Sequence, residues 1–169
     1  MSLYKKELTD NFYKAFVMND HDEQFNIWLD DSFNPNDTDC FQEPLIMNIL
    51  TTYATSNTLK IEESDFKETV NLLIGHGDYD PNQTNEFLET PLFYVARHKS
   101  LNCVAKALMG IDGTKLALKN DVGINMFEIA IMNGNYEFAE MLLNTGKFDF
   151  MTSGQAEIRE KTKNTGHAQ

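Results

Sequence analysis

The sequence predicts an all-α fold built from stacked pairs of short helices, and three observations support this prediction. The 169 residues are 41% hydrophobic and 24% charged, which is the composition of a soluble globular protein with a core. Apolar residues recur at helical spacing in paired short segments. Each pair is followed by a similar turn-forming segment, so one unit recurs along the chain. We therefore expect an elongated solenoid in which neighbouring units share a core.

The clearest unit lies between residues 123 and 146. Its first helix places three apolar residues on one face: Phe127, Ala130 and Ile131. The dipeptide Asn133-Gly134 interrupts that helix, and Asn135 can cap a second one. The second helix has apolar residues at the same spacing: Phe138, Met141 and Leu142. Gly146 then stands where a helix C′ glycine is expected, so the unit is two short antiparallel helices.

A second unit lies upstream and begins at Thr90-Pro91. Threonine is a good N-cap, and proline fits the first helical position because its missing N–H is not needed there. The two helices carry two apolar stripes: Leu92, Val95 and Ala96, then Leu101, Val104 and Leu108. This unit repeats the organisation of the one that follows it.

Two further units precede these. One begins at Glu43-Pro44 and resumes after inserted residues, roughly 53–63, at Asp65, which we expect to cap a helix. That helix carries four apolar residues: Phe66, Val70, Leu73 and Ile74. The other, over residues 11–32, is degenerate. Its second helix is expected to place three apolar residues on one face, as core or as a terminal cap: Phe25, Trp28 and Leu29.

The second helices lead into related turns: Phe33-Asn34-Pro35-Asn36, Tyr79-Asp80-Pro81-Asn82 and, more weakly, Phe148-Asp149-Phe150. This is turn chemistry that leads into an extended hairpin. With these turns, the Thr90-Pro91-Leu92 element and the glycine and leucine positions of the last unit, the chain resembles the ankyrin-repeat family, whose unit is about 33 residues long.

The resemblance implies an ankyrin-repeat solenoid of stacked helix-turn-helix units with short hairpin loops. We expect the array over residues 1–150, in repeats of approximately 9–41, 42–83, 84–120 and 121–150, followed by a polar tail or capping helix over 151–169. The chain departs from the family pattern at several positions. Glu43 takes the place of the threonine, and Asn48 that of the first alanine, which would put an amide near the core that requires a partner.

The resemblance also implies a non-enzymatic module that binds a partner protein on its concave face, through hairpin tips and first helices. The corresponding partner-binding residues are Phe41, Gln42, Phe87, Glu89, Arg97, His98, Asp121, Ile124 and Asn133. Phe87 and Arg97 are the expected anchors, since aromatic residues and arginine dominate interface energetics. Two alternatives remain open: a secreted microbial effector that engages a host protein, and a targeting domain of a longer enzyme.

One short stretch competes with the repeat interpretation. Asp78, Asp80, Asn82 and Glu89 have the spacing of ligands in a helix–loop–helix calcium site. The sixth position of that site requires glycine for its sharp turn, and here it is Gln83. We therefore interpret residues 78–89 as a hairpin and expect no bound metal and no cofactor.

No arrangement of nucleophile and base stands out in the sequence. A pair formed by Cys103 and His98 is conceivable, but Cys103 lies beside the Val104 stripe, so a packed thiol is the better interpretation. The remaining histidines are scattered, and Cys40 is far from Cys103 in sequence. We expect no catalytic residues and two free thiols.

Net charge narrows the class of partner. At −12, with a pI near 4.6, the chain lacks the basic surface that binding to nucleic acid or anionic membranes needs. A protein partner with a basic face is more compatible with this negative charge. The amino-terminal stretch has no apolar secretory core, so we expect a cytoplasmic monomer, or a location in the host cytoplasm for an effector.

Overall fold

The computed structural model describes residues 3–146, with side chains from residue 7 onward. Over this range the chain forms eight α-helices and no strand, which confirms the all-α prediction. The helices are α1 (Leu3–Met18), α2 (His21–Trp28), α3 (Leu45–Thr55), α4 (Glu63–Ile74), α5 (Pro91–Arg97), α6 (Asn102–Met109), α7 (Met126–Met132) and α8 (Tyr136–Asn144). A short 3-10 helix, Lys99–Leu101, leads into α6.

The helices form two layers. The inner layer contains the first helix of each pair, because α1 contacts α3, α3 contacts α5, and α5 contacts α7. The outer layer repeats this order with α2, α4, α6 and α8. One continuous apolar core fills the space between the layers, and its largest fully buried side chains include Phe12, Phe16, Phe66, Phe93 and Phe138. Each helix pair therefore buries its apolar faces only by stacking on its neighbours.

Local signals place several helix ends where the sequence predicts them. Pro91 is the first residue of α5, after Thr90 at the N-cap, although the Thr90 hydroxyl makes no capping bond. The Asn135 side chain accepts a hydrogen bond from the Phe138 amide at the start of α8. Gly134 and Gly146 follow the ends of α7 and α8 with φ of 69° and 64°, a backbone region that favours glycine.

The register predicted for the second repeat is wrong by one residue. Pro44 occupies the N-cap of α3, so it corresponds to Thr90 and not to Pro91. The burial pattern from Pro44 onward matches the pattern from Thr90 onward under this alignment. Asn48 then corresponds to the half-buried Tyr94 and not to the alanine of the family pattern. Its amide nitrogen donates to Asp39 Oδ2 at 3.2 Å, so the expected polar partner is present.

Two further local predictions are wrong. Helix α4 begins at Glu63, after Glu62 at the N-cap, so Asp65 lies inside the first turn. Its carboxylate instead accepts a hydrogen bond at 3.1 Å from the Asn19 side chain. In α2 the fully buried residues are Gln24 and Ile27, whereas the predicted stripe is half-buried at one position and exposed at the other two: Trp28, then Phe25 and Leu29.

The predicted insertion in the second repeat is divided between two elements. Helix α3 continues to Thr55, and the chain reaches α4 through residues 56–62. The expected Phe148-Asp149-Phe150 turn and the polar tail or capping helix over 151–169 lie outside the described residues.

Candidate protein-binding surface

Three loops that precede α3, α5 and α7 share one turn geometry. In each loop the first residue donates its amide to the carbonyl four positions later: Asp39 to Glu43, Asn85 to Glu89 and Asn120 to Ile124. The side-chain oxygen of each first residue also accepts a hydrogen bond from the amide at the far end of the turn. The fourth residue has a positive φ in all three loops: Gln42, Leu88 and Gly123. The tips are therefore equivalent positions of a repeat, as the sequence predicts.

Each hairpin tip exposes at least one large apolar side chain to solvent. Phe41 is 75% exposed, Phe87 50% and Val122 69%, and all three occupy the third position of their turns. Leu88, beside Phe87, is 52% exposed. The Asp121 amide donates to the Phe87 carbonyl at 3.0 Å, so the second and third tips are in contact. We call Phe41, Phe87, Leu88 and Val122 the apolar crest.

Below the apolar crest, glutamates of one hairpin receive hydrogen bonds from the next. Glu43 accepts from the Asn85 amide at 3.3 Å and also from the Tyr94 hydroxyl. Burial and the hydrogen bond to Glu43 raise the pKa of Tyr94, which keeps its hydroxyl a donor. We call these bonds, with their counterparts at Glu89, the hairpin ladder.

The second link of the hairpin ladder repeats the bond from an asparagine to a glutamate, but its additional donor comes from α5 of the same repeat. Glu89 Oε1 accepts from the Asn120 side chain at 3.0 Å. Arg97 forms a bidentate pair with Glu89, through Nη1 to Oε2 at 2.6 Å and Nη2 to Oε1. The hydrogen bond to Glu89 raises the pKa of Arg97. At Ile124 the equivalent position is apolar, so the ladder has two links among the described residues.

The hairpin ladder engages two residues that the resemblance assigns to partner contact. Glu89 is only 4% exposed, and its carboxylate is occupied by Arg97 and Asn120. The Arg97 side chain is 32% exposed, and its guanidinium also lies 5.8 Å from the centre of the Tyr94 ring. Both residues support the hairpins from beneath, and the apolar crest lies outermost.

The other predicted contact residues lie at the hairpin tips or directly after the ends of first helices. Phe41, Gln42 and Phe87 are exposed at their tips, as is Asp121 at the third tip. Ile124 is half-buried below that tip. His98 follows α5 and is half-buried, and burial lowers its pKa, which favours the neutral imidazole. Asn133, which follows α7, is exposed, and its side chain donates to the Ile129 carbonyl at 2.8 Å.

The geometry argues against two alternative sites, a catalytic cysteine and a calcium site. Burial raises the pKa of Cys103, and its thiol donates to the Ser100 carbonyl at 3.3 Å. A raised pKa keeps the thiol protonated, whereas a catalytic cysteine needs the thiolate. In the calcium-like stretch, Asn82 bonds the backbone of Gly113 and Lys115, and Glu89 belongs to the hairpin ladder. Across residues 3–146 no group of three acidic, histidine or cysteine side chains is placed to hold a metal.

Comparison with protein families accounts for the repeated geometry. The family described as ankyrin repeats (3 copies) matches residues 53–152, which is more than half of the chain. The chain belongs to the ankyrin-repeat family. The match begins within α3, so the pair formed by α1 and α2 precedes it. No curated protein matched the chain in a sequence search.

Ankyrin repeats generally mediate protein–protein interaction and are typically binding modules without enzymatic activity. The stacked layers of this ankyrin-repeat chain agree with such a module. Among the helices between residues 3 and 146, none combines the length and the apolar character that a bilayer span requires.

Proposed function

We propose that the chain binds a protein partner through the apolar crest and the flanking exposed residues of the hairpins and first helices. The observation that carries this proposal is the recurrence of an exposed apolar side chain at the same turn position of three successive tips. Monomeric proteins expose contiguous apolar surface mainly where they bind another molecule. The tips are held by buried hydrogen bonds, so the surface is preorganised and loses little entropy on binding.

The composition of this surface specifies the partner further. The exposed charges beside the apolar crest include the carboxylates of Glu86 and Asp121. The main cation beneath it, Arg97, is already paired with Glu89. We therefore infer a partner that supplies apolar side chains to Phe41, Phe87 and Val122 and has basic residues around them. Gln42, His98, Ile124 and Asn133 remain proposed contacts at the edge of the same surface.

A pull-down from a lysate of the native cell tests this proposal. The immobilised wild-type chain is compared with a Phe41→Ser, Phe87→Ser, Val122→Ser triple variant and with Glu140→Lys, a charge reversal on the outer surface of α8. Proteins that the wild type and Glu140→Lys retain, and that the triple variant loses, are the expected result. Retention by the triple variant together with loss by Glu140→Lys would place the binding surface on the outer helices. Melting temperatures of all three proteins establish that folding is unchanged.

A further inference from the structure

The outer helices provide a second surface, and it is unusual at one place. The last buried residue of each second helix is apolar, and these four residues serve as matching positions: Ile27, Leu73, Leu108 and Leu142. The position two residues before it is exposed in all four helices. Three helices carry a polar or charged residue there: Asn71, Lys106 and Glu140. Helix α2 carries Phe25, which is 49% exposed.

The position two residues after the same buried residue shows the same contrast. It is glycine after α4 and α6, and Asn144 at the end of α8. After α2 it is Leu29, which is 56% exposed. The ring of Phe25 also stacks on Trp28, with centroids 5.8 Å apart and planes 15° from parallel. Two large apolar side chains therefore face solvent where the other repeats place small or polar ones.

Phe25 forms one side of a groove between α2 and α4, which we call the outer groove. The outer groove has a volume of about 450 Å³, and Leu72 provides apolar surface on the α4 side. Gln24, on its lining, is 1% exposed and accepts a hydrogen bond from Thr69 at 2.7 Å. The amide nitrogen of Gln24 has no hydrogen-bond partner among the described residues. A buried donor without an acceptor is costly, so Gln24 is not a residue that the apolar core alone would select.

The charge at the outer groove has one sign. Asp22 on α2 and Glu68 on α4 line it, and both are exposed. His21 also lines it, and its imidazole lies 3.9 Å from Asp65, on the same side of α4. No lysine or arginine lines the groove within the described part of the chain. Two carboxylates beside an aromatic ring complement a ligand that carries both a cation and an apolar side chain.

We propose that the outer groove binds a peptide segment of a partner protein in which an aromatic or aliphatic side chain is flanked by lysine or arginine. The apolar side chain would pack between Phe25 and Leu72, and the flanking cations would pair with Asp22 and Glu68. This site is separate from the apolar crest, because the crest lies on the hairpins and the groove on the outer layer.

The chain has one tryptophan, Trp28, and its stacking on Phe25 makes its fluorescence a reporter of this groove. The probe is the blocked peptide Lys-Arg-Phe-Leu-Arg-Lys, and the control is Glu-Asp-Phe-Leu-Asp-Glu. We expect the basic peptide to change the Trp28 emission saturably below about 1 mM, since a short peptide makes few contacts. The acidic peptide should leave it unchanged. Equal responses to both peptides, or no response to either, would overturn the proposal.

Variants assign the site by calorimetric titration, which does not depend on Trp28. Phe25→Asn, which introduces the residue found at the matching position of α4, should weaken binding of the basic peptide about tenfold or more. Asp22→Asn should weaken it less and reduce its dependence on salt. Phe87→Ser, on the apolar crest, should leave binding unchanged. Unaltered binding by a folded Phe25→Asn protein would contradict the proposal.

A second copy of the chain is the competing occupant. Sedimentation at increasing protein concentration separates the two, because a groove covered by another copy gives a dimer that Phe25→Asn abolishes. That result would overturn the peptide proposal. A monomer that binds the basic peptide supports the peptide proposal. The result that the triple crest variant gives in the pull-down tests the proposed function and does not affect this conclusion.

Discussion

The hairpin side and the outer-helix side of the array distribute polar and apolar groups in opposite ways. On the hairpin side, buried polar bonds join successive repeats, as from Asn120 to Glu89, and the outermost residues of the crest are apolar. On the outer-helix side, successive repeats are joined by buried apolar residues such as Leu73 and Leu108. The exposed residues there are mostly polar, and Phe25 is a clear exception.

This opposite arrangement separates side chains that join the repeats from side chains that are available to a partner. Buried polar pairs require a specific partner, so they fix which hairpin lies beside which, whereas apolar packing tolerates more variation. We expect the apolar residues exposed above the hairpin ladder to contribute little to folding. Exposed apolar residues recur at three successive hairpins, whereas Phe25 and Leu29 occur at α2 and are not repeated in the other outer helices.

The largest effect is expected in the apolar layer. Leu142→Ala on α8 removes a side chain with no solvent exposure and should lower the free energy of unfolding by about 2–5 kcal/mol. The control is Glu140→Ala, an exposed position on the same helix, which should change it by less than about 0.5 kcal/mol. Denaturant titration followed by circular dichroism measures both. Equal losses would mean that the outer layer is not stabilised by apolar burial.

An intermediate effect is expected in the hairpin ladder. Glu89→Ala leaves the buried Asn120 amide without its acceptor and Arg97 without its carboxylate, so unfolding should become easier by about 1–3 kcal/mol. Glu86→Ala is the matched control, since that glutamate is exposed on the same tip. The same titration compares the two. If Glu86→Ala is as destabilising as Glu89→Ala, the ladder does not hold the hairpins together.

The smallest effects are expected where apolar residues are exposed. Phe87→Ser and Phe25→Asn should each change the free energy of unfolding by less than about 0.5 kcal/mol, because neither side chain is fully buried. Thermal unfolding of the two variants beside the wild type measures this. A larger loss in either variant would show that its ring stabilises the fold, and would weaken the corresponding binding proposal.

The parts of this structure that follow from neighbouring residues could be predicted from the sequence. Pro91, Asn135 and Gly146 act within one helix turn, and each lies where that local chemistry places it. The all-α repeat follows from the same signals. Two proline dipeptides, Glu43-Pro44 and Thr90-Pro91, look alike in sequence, and the helix starts and the burial pattern after them show that they are offset by one.

The candidate site depended on contacts that the sequence does not reveal. The pairing of Glu89 with Asn120 joins residues from different repeats, so it forms only when the hairpins stack. Sequence alone therefore predicted partner contacts for Glu89 and Arg97 without revealing their hydrogen bonds within the array. In α2 a helical stripe of Phe25, Trp28 and Leu29 predicted a core face or a terminal cap. The side that packs on α4 instead carries Gln24, and its polarity gave no signal of a buried position. The partner-contact assignments remain predictions.

The hairpin ladder also sets how the array could be lengthened. A duplicate of residues 85–119, inserted before residue 120, would bring an asparagine for the existing Glu89 and a new glutamate for Asn120. Every rung would then be complete. A duplicate of residues 120–146 added after the original would place its asparagine opposite Ile124, which offers no carboxylate. Growth by duplication is therefore favoured between the second and third hairpins and disfavoured directly after the third, because Ile124 cannot accept the hydrogen bond that Glu43 and Glu89 accept.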